Sequence, residues 1–234
     1  MLHDLDLGLL QYLNSFAHKS VILDKAIVGF SLTNVHLLKG VPLVACLWWL
    51  WFSVPPVESF KRRRCVVASF AGAFLAVAVA RVVQNMSPER PRPLHNPDLD
   101  IIKPFGVTDN VLADYSSFPS DTTALLLALV TGIWLASRPL GVVAFLWAMA
   151  FGAIPRIYAG FHYPSDILGG MVIGILSTLV VAWSPAGTLL SKVAFEIRRR
   201  HRGLFYAAAF ILSYQVAMIF EEIRRIGTAL FKVF

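Results

Sequence analysis

Long apolar blocks, separated by short polar segments, dominate the chain. Within each block the apolar residues are nearly continuous and do not form one narrow stripe, which is typical of helices surrounded by lipid or by other helices. A membrane-spanning helix needs about 20 mostly apolar residues. Blocks near that length lie at about 40–54, 65–86, 121–137, 139–155, 164–184 and 203–220, and a weaker one lies at 21–38. The pattern predicts an all-α fold, a polytopic membrane bundle of six to seven transmembrane helices.

The two ends of the chain differ from these blocks. Within 1–18 we expect a helix whose apolar face lies on the membrane surface, formed by Leu5, Leu7, Leu9, Leu10, Tyr12 and Leu13. The predicted organisation is an interfacial segment at 1–20, a transmembrane domain at 21–185, and a basic loop, an additional transmembrane helix and a short tail within 186–234. The tail carries a charged group that is typical of a solvated face, Glu221, Glu222, Arg224 and Arg225.

The composition of the chain is that of a membrane protein. Hydrophobic residues make up 57% of the 234 positions and charged residues only 15%, and the mean hydropathy is +0.66. These values exclude an ordinary soluble domain. Cys46 and Cys65 lie in or beside apolar blocks and lack metal-ligand spacing, so we expect small buried residues. The N-terminus has Asp4 and Asp6 and lacks the basic start of a cleavable signal peptide.

The positive charge is concentrated in short segments between the apolar blocks. The net charge is +7, and basic runs occupy 61–64 and 198–202. In a membrane protein such runs indicate the cytoplasmic side, which places the loops 87–120 and 155–163 on the outer face. No aromatic residues interleave with the basic ones, so we expect no nucleic-acid partner. The predicted location is the plasma membrane, the inner membrane of a bacterium, with the polar loops on the periplasmic or extracellular side.

The first polar group on the predicted outer face follows the block at 65–86. Arg81, Gln84 and Asn85 share one helical face, and the run Pro88-Glu89-Arg90-Pro91-Arg92-Pro93 comes directly after them. The guanidinium forks of Arg90 and Arg92 suit phosphate oxygens. Taken alone, an Arg-Pro-Arg-Pro run is equally consistent with an anchor to lipid headgroups.

Two further polar groups lie in the same outer loops. Ser120 or Asp121 can cap the helix that begins there, and the free N–H groups of a helix start also bind phosphate. Arg156 and His162 lie between the blocks at 139–155 and 164–184, and Asp166 lies at the start of the second of these blocks. If the helix has already begun, the i, i+4 spacing lets Asp166 hold one imidazole nitrogen and aim the other at phosphorus. Three such groups on one side of the membrane favour a phosphate site.

We expect neither a metal nor another cofactor at this site. His162 and Asp166 have no third ligand spaced nearby, and the surrounding arginines would repel a cation.

With these residues the sequence resembles the type 2 phosphatidic acid phosphatase superfamily of membrane lipid phosphatases, over about residues 20–185. That family has three signatures in order, Lys-x6-Arg-Pro, Pro-Ser-Gly-His and Ser-Arg-x5-His-x3-Asp. The third matches at Arg156, His162 and Asp166, and the first matches at Arg92 and Pro93.

The sequence departs from the family pattern at four positions. The first-signature lysine position holds Asn85, where Arg81 or Gln84 is a possible substitute. In the second signature Pro119 and Ser120 match, Asp121 replaces glycine, and Thr122 stands at the histidine position. Pro155 replaces the leading serine of the third signature.

The resemblance implies roles for the matching residues. His162 would attack phosphorus and form a phosphohistidine, and Asp166 would orient it. Phosphate binding would fall to Arg90, Arg92 and Arg156, together with the start of the helix at Ser120, Asp121 and Thr122. The family's second-signature histidine protonates the leaving oxygen, and Thr122 does not supply that acid at neutral pH. The loss penalises a lipid monoester more than a pyrophosphate, whose leaving phosphate last ionises near about 6.

Three functions follow as hypotheses. The leading one is a phosphatase acting on a lipid (pyro)phosphate, most plausibly an isoprenoid one, with a membrane lipid as its partner. A lipid phosphotransferase would use the same His162 chemistry with another acceptor. A catalytically impaired protein that binds or translocates phospholipid headgroups is the third. The sequence leaves the oligomeric state open.

Overall fold

A computed structural model of the protein describes residues 2–31, 36–53, 59–108 and 116–219. Every regular element in this part of the chain is helical, which confirms the predicted all-α fold. The α-helices are α1 Leu2–Asn14, α2 Val21–Ser31, α3 His36–Lys39, α4 Val41–Phe52, α5 Ser59–Met86, α6 Asp121–Ala136, α7 Arg138–Ala148, α8 Ile154–Tyr158, α9 Pro164–Trp183, α10 Pro185–Arg200 and α11 Arg202–Ala217. A 3₁₀ turn spans Pro93–His95, and a π-helical segment, Met149–Ala153, joins α7 to α8.

Helix α6 is the centre of the bundle and packs against α5 and α9. Its residues from Thr122 to Ile133 are all buried. Small residues bring these helices together: a Cβ added at Gly132 would lie 2.2 Å from the Cβ of Ser69, and one added at Gly174 would lie 2.2 Å from the Ala124 carbonyl oxygen. Close backbone approach is the usual way in which helices associate in a membrane.

In the described part of the chain, three helical stretches are long and apolar enough to cross a membrane, and each overlaps a predicted block: Phe60–Met86, Arg138–Tyr158 and Pro164–Trp183. The blocks at 40–54 and 121–137 form shorter apolar helices, Val41–Phe52 and Asp121–Ala136. The block at 203–220 forms α11 with 16 residues, and the weak block at 21–38 begins with α2, which has 11. The sequence blocks therefore mark helices reliably but overstate the length of several of them.

Two segments that the sequence predicted as loops are helical. The predicted basic loop after residue 185 is helix α10, which Ser184 caps by accepting a hydrogen bond from the Gly187 N–H at 3.0 Å. Its basic residues 198–200 fall in the last turn, where cations are favourable beside the free carbonyl groups. The predicted outer loop at 155–163 stays helical as far as Tyr158. The predicted charged tail at 221–225 lies outside the described residues.

Helix α1 lies against α8 and the start of α9. Leu10 is fully buried, and the amide of Asn14 donates to the carbonyl oxygens of Ile102 at 2.8 Å and Tyr158 at 3.0 Å. Leu5 and Tyr12 are 66% and 63% exposed on the opposite side. The predicted amphipathic helix is thus present, and its position in the membrane interface stays a prediction.

Candidate active site

Four helix ends meet at one end of the bundle. Helix α5 ends there, α8 ends there, and α6 and α9 begin there. The N–H of Ser120, before α6, donates to the Asp166 carbonyl oxygen of α9 at 3.1 Å, and the Leu94 N–H donates to the Gly160 carbonyl oxygen at 2.8 Å. These links bring together the three polar groups that the sequence placed in separate loops.

His162 lies at the centre of this junction and is 2% exposed. It follows a tight turn in which Gly160 has a φ of +70°, a conformation that favours glycine. The imidazole Nδ1 lies 2.8 Å from the carbonyl oxygen of Ser117. Because a carbonyl oxygen only accepts, Nδ1 carries the hydrogen and Nε2 keeps its lone pair.

Two arginines flank that lone pair. The Nη1 atoms of Arg92 and Arg156 lie 3.3 Å and 3.2 Å from Nε2 of His162. Arg92 is 6% exposed and is fixed by donating to the Phe161 carbonyl oxygen at 2.8 Å. Burial, reinforced by the neighbouring charge of Arg156, lowers the pKa of Arg92 to about 10. Arg92 therefore remains cationic at neutral pH.

The same surroundings keep the imidazole of His162 neutral. Burial, together with the positive charges of Arg92 and Arg156, lowers the pKa of His162 to about 4, and Asp166 opposes part of that shift. At pH 7 the unprotonated ring presents Nε2 as a nucleophile or hydrogen-bond acceptor.

The geometry of Asp166 differs from the predicted one. Helix α9 begins only at Pro164, so His162 precedes it and the pair does not share a helical face. The Asp166 Oδ2 atom lies 3.6 Å from Nδ1 of His162, which is too long for a hydrogen bond. Asp166 instead accepts from the Tyr163 N–H at 2.8 Å and from Arg90 at 2.6 Å. It is a charge beside the ring, and Ser117 is the hydrogen-bond partner.

Arg90 has contacts other than those the sequence predicted. It forms ion pairs with Asp166 at 2.6 Å and with Asp6 of α1 at 2.9 Å, and its guanidinium lies 3.8 Å over the Tyr163 ring. The guanidinium of Arg90, which the sequence predicted to bind phosphate, is therefore paired with two carboxylates.

Asp6 is a site residue that the sequence reasoning missed. It is only 7% exposed, and it accepts hydrogen bonds from the N–H and the hydroxyl of Ser165 at 2.7 Å and 2.6 Å. The sequence feature that could have identified Asp6 is its position as an acidic residue among the apolar residues of helix α1.

The three candidate substitutes for the family lysine have different positions. Arg81 donates to Gln84 at 2.9 Å and to Asp121 at 2.7 Å, and Gln84 donates to the Ser116 carbonyl oxygen at 2.6 Å. Asn85 is exposed. The end of α5 thus joins the junction through Arg81 and Gln84 and not through Asn85.

The start of α6 is capped as predicted. The Ser120 hydroxyl accepts from the Thr123 N–H at 3.4 Å, and Asp121 Oδ1 accepts from the Thr122 N–H at 2.6 Å. Thr122 is 1% exposed. The carboxylate of Asp121 also pairs with Arg81 at 2.7 Å, so both of its oxygens have partners within the protein.

An apolar groove of about 290 Å³ lies beside the junction, between α1, α2 and the α7–α8 stretch. It includes Pro155, the neighbour of Arg156, and it has almost no polar lining. The groove residues are Leu13, Phe16, Leu23, Ile27, Ala150, Ile154, Pro155 and Tyr158.

The arrangement has a definite chemical capacity. A neutral imidazole with an available lone pair stands between two cations, which is suited to binding a tetrahedral anion and attacking it. In the described part of the chain, no three His, Cys, Asp or Glu side chains come together as metal ligands.

Comparisons with known proteins identify a family and several relatives. The model of the PAP2 superfamily matches residues 87–188. That range includes the start of α6, the end of α8 and the start of α9, and it begins one residue after α5 ends. The decaprenylphosphoryl-5-phosphoribose phosphatase of Mycobacterium tuberculosis is 32% identical over 136 residues, which cover 55% of this chain and 67% of that protein.

Two further relatives match over shorter stretches of the chain. The bacitracin transport permease protein BcrC of Bacillus licheniformis is 38% identical over 87 residues, 35% of this chain and 42% of that protein, so the match spans less than half of it. The undecaprenyl-diphosphatase BcrC of Bacillus subtilis is 36% identical over 61 residues, 26% of this chain and 31% of that protein.

Among solved structures, the crystal structure of Aquifex aeolicus LpxE superposes with a TM-score of 0.53 at 25% sequence identity. The superposition covers 75% of this chain and 93% of that one.

Proposed function

The chain belongs to the PAP2 superfamily, and on that premise we propose that it is a membrane phosphatase that hydrolyses a lipid (pyro)phosphate through a phosphohistidine intermediate. The observation that carries the proposal is the state of His162. Its Nδ1–H is held by the Ser117 carbonyl oxygen, and its Nε2 lone pair lies within 3.3 Å of both Arg92 and Arg156.

The reaction has two balanced steps. In the first, Nε2 of His162 attacks phosphorus, an Nε2–P bond forms, and the P–O bond to the leaving group breaks with its electron pair on the leaving oxygen. Arg92 and Arg156 bind the non-bridging oxygens as charge develops on them. In the second, water attacks phosphorus, inorganic phosphate departs, and His162 regains its lone pair.

Asp166 and Ser117 divide the support of the ring between them. The Ser117 carbonyl oxygen fixes the tautomer, and the carboxylate of Asp166, 3.6 Å from Nδ1, offsets the positive charge that the ring gains once Nε2 is phosphorylated. Arg90 holds that carboxylate in place.

The leaving group is the main constraint on the substrate. A positioned general acid contributes about 10²–10⁴-fold in rate. Thr122 does not supply a proton at neutral pH, and Asp121 is ion-paired with Arg81. A leaving phosphate with its last ionisation near about 6 departs without that proton far more easily than an alkoxide does. The site therefore favours a lipid pyrophosphate over a simple lipid monoester.

The apolar groove supports a lipid substrate. It lies next to Arg156 and has the lining expected for a hydrocarbon chain. The names of the relatives, a decaprenylphosphoryl-5-phosphoribose phosphatase and an undecaprenyl-diphosphatase, support an isoprenoid chain. The basic runs lie at the other end of the bundle, so the active site would face the periplasmic or extracellular side of a plasma membrane.

The direct test uses purified full-length protein in lipid nanodiscs. We expect phosphate release from a polyprenyl diphosphate, trapping of an acid-labile phosphoenzyme from substrate labelled at its terminal (β) phosphate, and loss of both in His162→Asn. His201→Asn, far from the junction, is the matched control.

Other results would contradict the proposal in distinct ways. Transfer of label to a second lipid without free phosphate would indicate a phosphotransferase. Lipid headgroup binding without turnover, unchanged in His162→Asn, would indicate the non-enzymatic alternative.

A further inference from the structure

A cavity of about 560 Å³ lies at the end of the bundle opposite the candidate active site. Helix α9 begins beside His162 at Pro164 and ends at Trp183, one residue before α10, which lines the cavity. Twenty helical residues span about 30 Å. The cavity is therefore separate from the junction that holds His162, and its location is that of the predicted cytoplasmic face.

The lining of this cavity is strongly positive. Lys192, Arg198, Arg199 and Arg202 surround it, with Phe60 and Phe195 as its apolar wall. The two phenylalanine ring centroids are 5.2 Å apart. An anion with an attached apolar portion is the complementary ligand for such a lining.

One carboxylate in the lining offsets only part of this charge. Glu196 is engaged by Arg199, at 2.8 Å and 2.9 Å, and by Arg200. Arg198 belongs to the same lining, and its guanidinium also faces the Trp51 ring, with 5.7 Å between its Cζ atom and the ring centroid.

Helix α10 places the cavity near the lipid headgroups. Leu189, Val193 and Ile197 are spaced by four residues and are 63%, 47% and 39% exposed, so they form one apolar face. A basic helix with such a face lies in the membrane interface with its charges at headgroup level. The cavity is then within reach of lipid phosphate.

We propose that this cavity is a binding site for the phosphate headgroup of an anionic membrane phospholipid. The apolar wall of Phe60 and Phe195 and the lipid-facing side of α10 favour a lipid over a free phosphate ion. The site is separate from the catalytic chemistry and does not depend on it.

The test compares two variants with the same loss of charge. Lys192→Gln/Arg199→Gln/Arg202→Gln removes cavity cations, and Lys61→Gln/Arg62→Gln/Arg138→Gln removes basic residues at the same end of the bundle that do not line the cavity. Binding of a fluorescent phosphatidylglycerol to the full chain in phosphatidylcholine nanodiscs is measured. We expect at least about twentyfold weaker binding for the cavity variant, because it loses three cations that would contact the headgroup, and less than threefold for the control, whose cations would not contact it.

The opposite results overturn the proposal. Equal losses in the two variants would show general attraction to a basic surface without a site. Displacement of the lipid by millimolar inorganic phosphate, with equal affinity for a short-chain soluble analogue, would assign the cavity to free anions.

A second, independent observation concerns Asp6 on α1. Its carboxylate accepts from both the N–H and the hydroxyl of Ser165, and it shares Arg90 with Asp166. The pairs form a continuous chain from α1 to the carboxylate beside His162. Leu5 and Leu9 on the exposed side of α1 are 66% and 47% exposed, as expected for a helix that contacts lipid.

We infer that Asp6 is a positioning residue for the proposed phosphatase reaction, on which this inference rests. By holding the second arm of Arg90, Asp6 fixes the guanidinium that in turn holds Asp166 beside the imidazole. The effect is on the chemical step, because Arg92 and Arg156, which would bind the phosphate, do not contact Asp6 in the described hydrogen bonds.

The test is steady-state kinetics of Asp6→Asn with Asp4→Asn as the exposed control. Asparagine still accepts from Ser165 but has no charge for Arg90. We expect kcat to fall about tenfold with KM within twofold, recovery of at least half of the rate in Asp6→Glu, and no change in the control. An inactive wild-type protein would refute the phosphatase proposal itself. Normal kcat in Asp6→Asn, or a loss confined to KM or to thermal stability, would refute only the positioning role.

Discussion

The Nδ1 atom of His162 and the carbonyl oxygen of Ser117 lie 2.8 Å apart, so a main-chain acceptor and not a carboxylate fixes the tautomer of the proposed nucleophile. A main-chain carbonyl cannot be protonated or removed by substitution. The ring therefore keeps its orientation over a wide pH range, and the nearby charge of Asp166 has a separate role.

Asp166→Asn separates these two roles. If Asp166 supplies only charge, its loss lowers kcat by about 10²-fold, the size expected for one electrostatic contact to the transition state. If Asp166 set the tautomer, the loss would reach about 10⁴-fold. We expect the smaller effect, measured as kcat in nanodiscs, with a circular dichroism spectrum that matches the wild type.

The lowered pKa of His162 predicts how stability depends on pH. Burial lowers the pKa to about 4 in the folded protein, against an ordinary value of 6.5. Between these values the unfolded chain binds the proton and the folded one does not, so stability falls as pH drops from 6.5 to 4.

The expected loss of stability is measured against His162→Asn, which has no titrating ring. It reaches up to about 3 kcal/mol at pH 4, from about 1.36 kcal/mol for each pKa unit. Thermal unfolding of wild type and His162→Asn from pH 7 to pH 4 measures the difference. A constant gap between the two curves would contradict the neutral, buried state of the ring.

Substitutions at Asn85 and Arg81 test which residue takes the role of the family lysine. Asn85 is exposed at the lysine position, so Asn85→Lys should leave kcat/KM within about twofold. Arg81→Gln removes the partner of Asp121, 2.7 Å away, and leaves that negative charge beside the phosphate site. We expect kcat/KM to fall about tenfold or more, the scale of a lost charged hydrogen bond. A gain in Asn85→Lys would show that the lysine position still reaches the phosphate.

Close helix packing at Gly132 predicts a stability effect that is independent of catalysis. A Cβ at this position would lie 2.2 Å from the Cβ of Ser69, so Gly132→Ala should destabilise the bundle by about 1–3 kcal/mol. Gly203→Ala, where nothing lies within 4 Å, is the matched control. Thermal unfolding in detergent measures both, and the double variant Gly132→Ala/Ser69→Gly should recover part of the loss.

Much of the fold was predictable because apolar blocks of spanning length have few alternatives in lipid. Helix α10 was not predicted from the sequence. Its basic last turn resembles a cytoplasmic loop, and its apolar residues, including Leu189 and Val193, form only a narrow stripe along one side. Helix α6 is short for a span, and its central position depends on close contacts at Gly132 and Gly174 that a hydropathy pattern does not contain.

In the candidate site, the sequence predicted the side chains that belong to the family motifs but not the groups that hold them in place. His162, Arg92 and Arg156 have the spacing of the family motifs. The structure brings the Nη1 atoms of both arginines within 3.3 Å of Nε2 of His162. The Ser117 carbonyl has no sequence signature, because every residue has one. Asp6 is 84 positions from Arg90, and a pairing over that distance depends on how α1 packs.

Thr122 offers the sharpest test of the proposed substrate preference. Thr122→His restores an imidazole at the position where the family has its general acid. A proton donor contributes about 10²–10⁴-fold when the leaving group is a poor one. We therefore expect a large gain on a lipid phosphate monoester, and a much smaller one on a polyprenyl diphosphate, whose leaving phosphate needs no proton.

Thr122→Asn is the control for the added bulk, because Thr122 is only 1% exposed and either substitution must be accommodated beside Asp121. The ratio of the two kcat/KM values, monoester over diphosphate, is the decisive measurement, since a folding defect lowers both values together and leaves the ratio unchanged. A wild-type protein that already hydrolyses the monoester as fast as the diphosphate, with no change in ratio in Thr122→His, would contradict the leaving-group argument. That result would point instead to a proton donor other than residue 122.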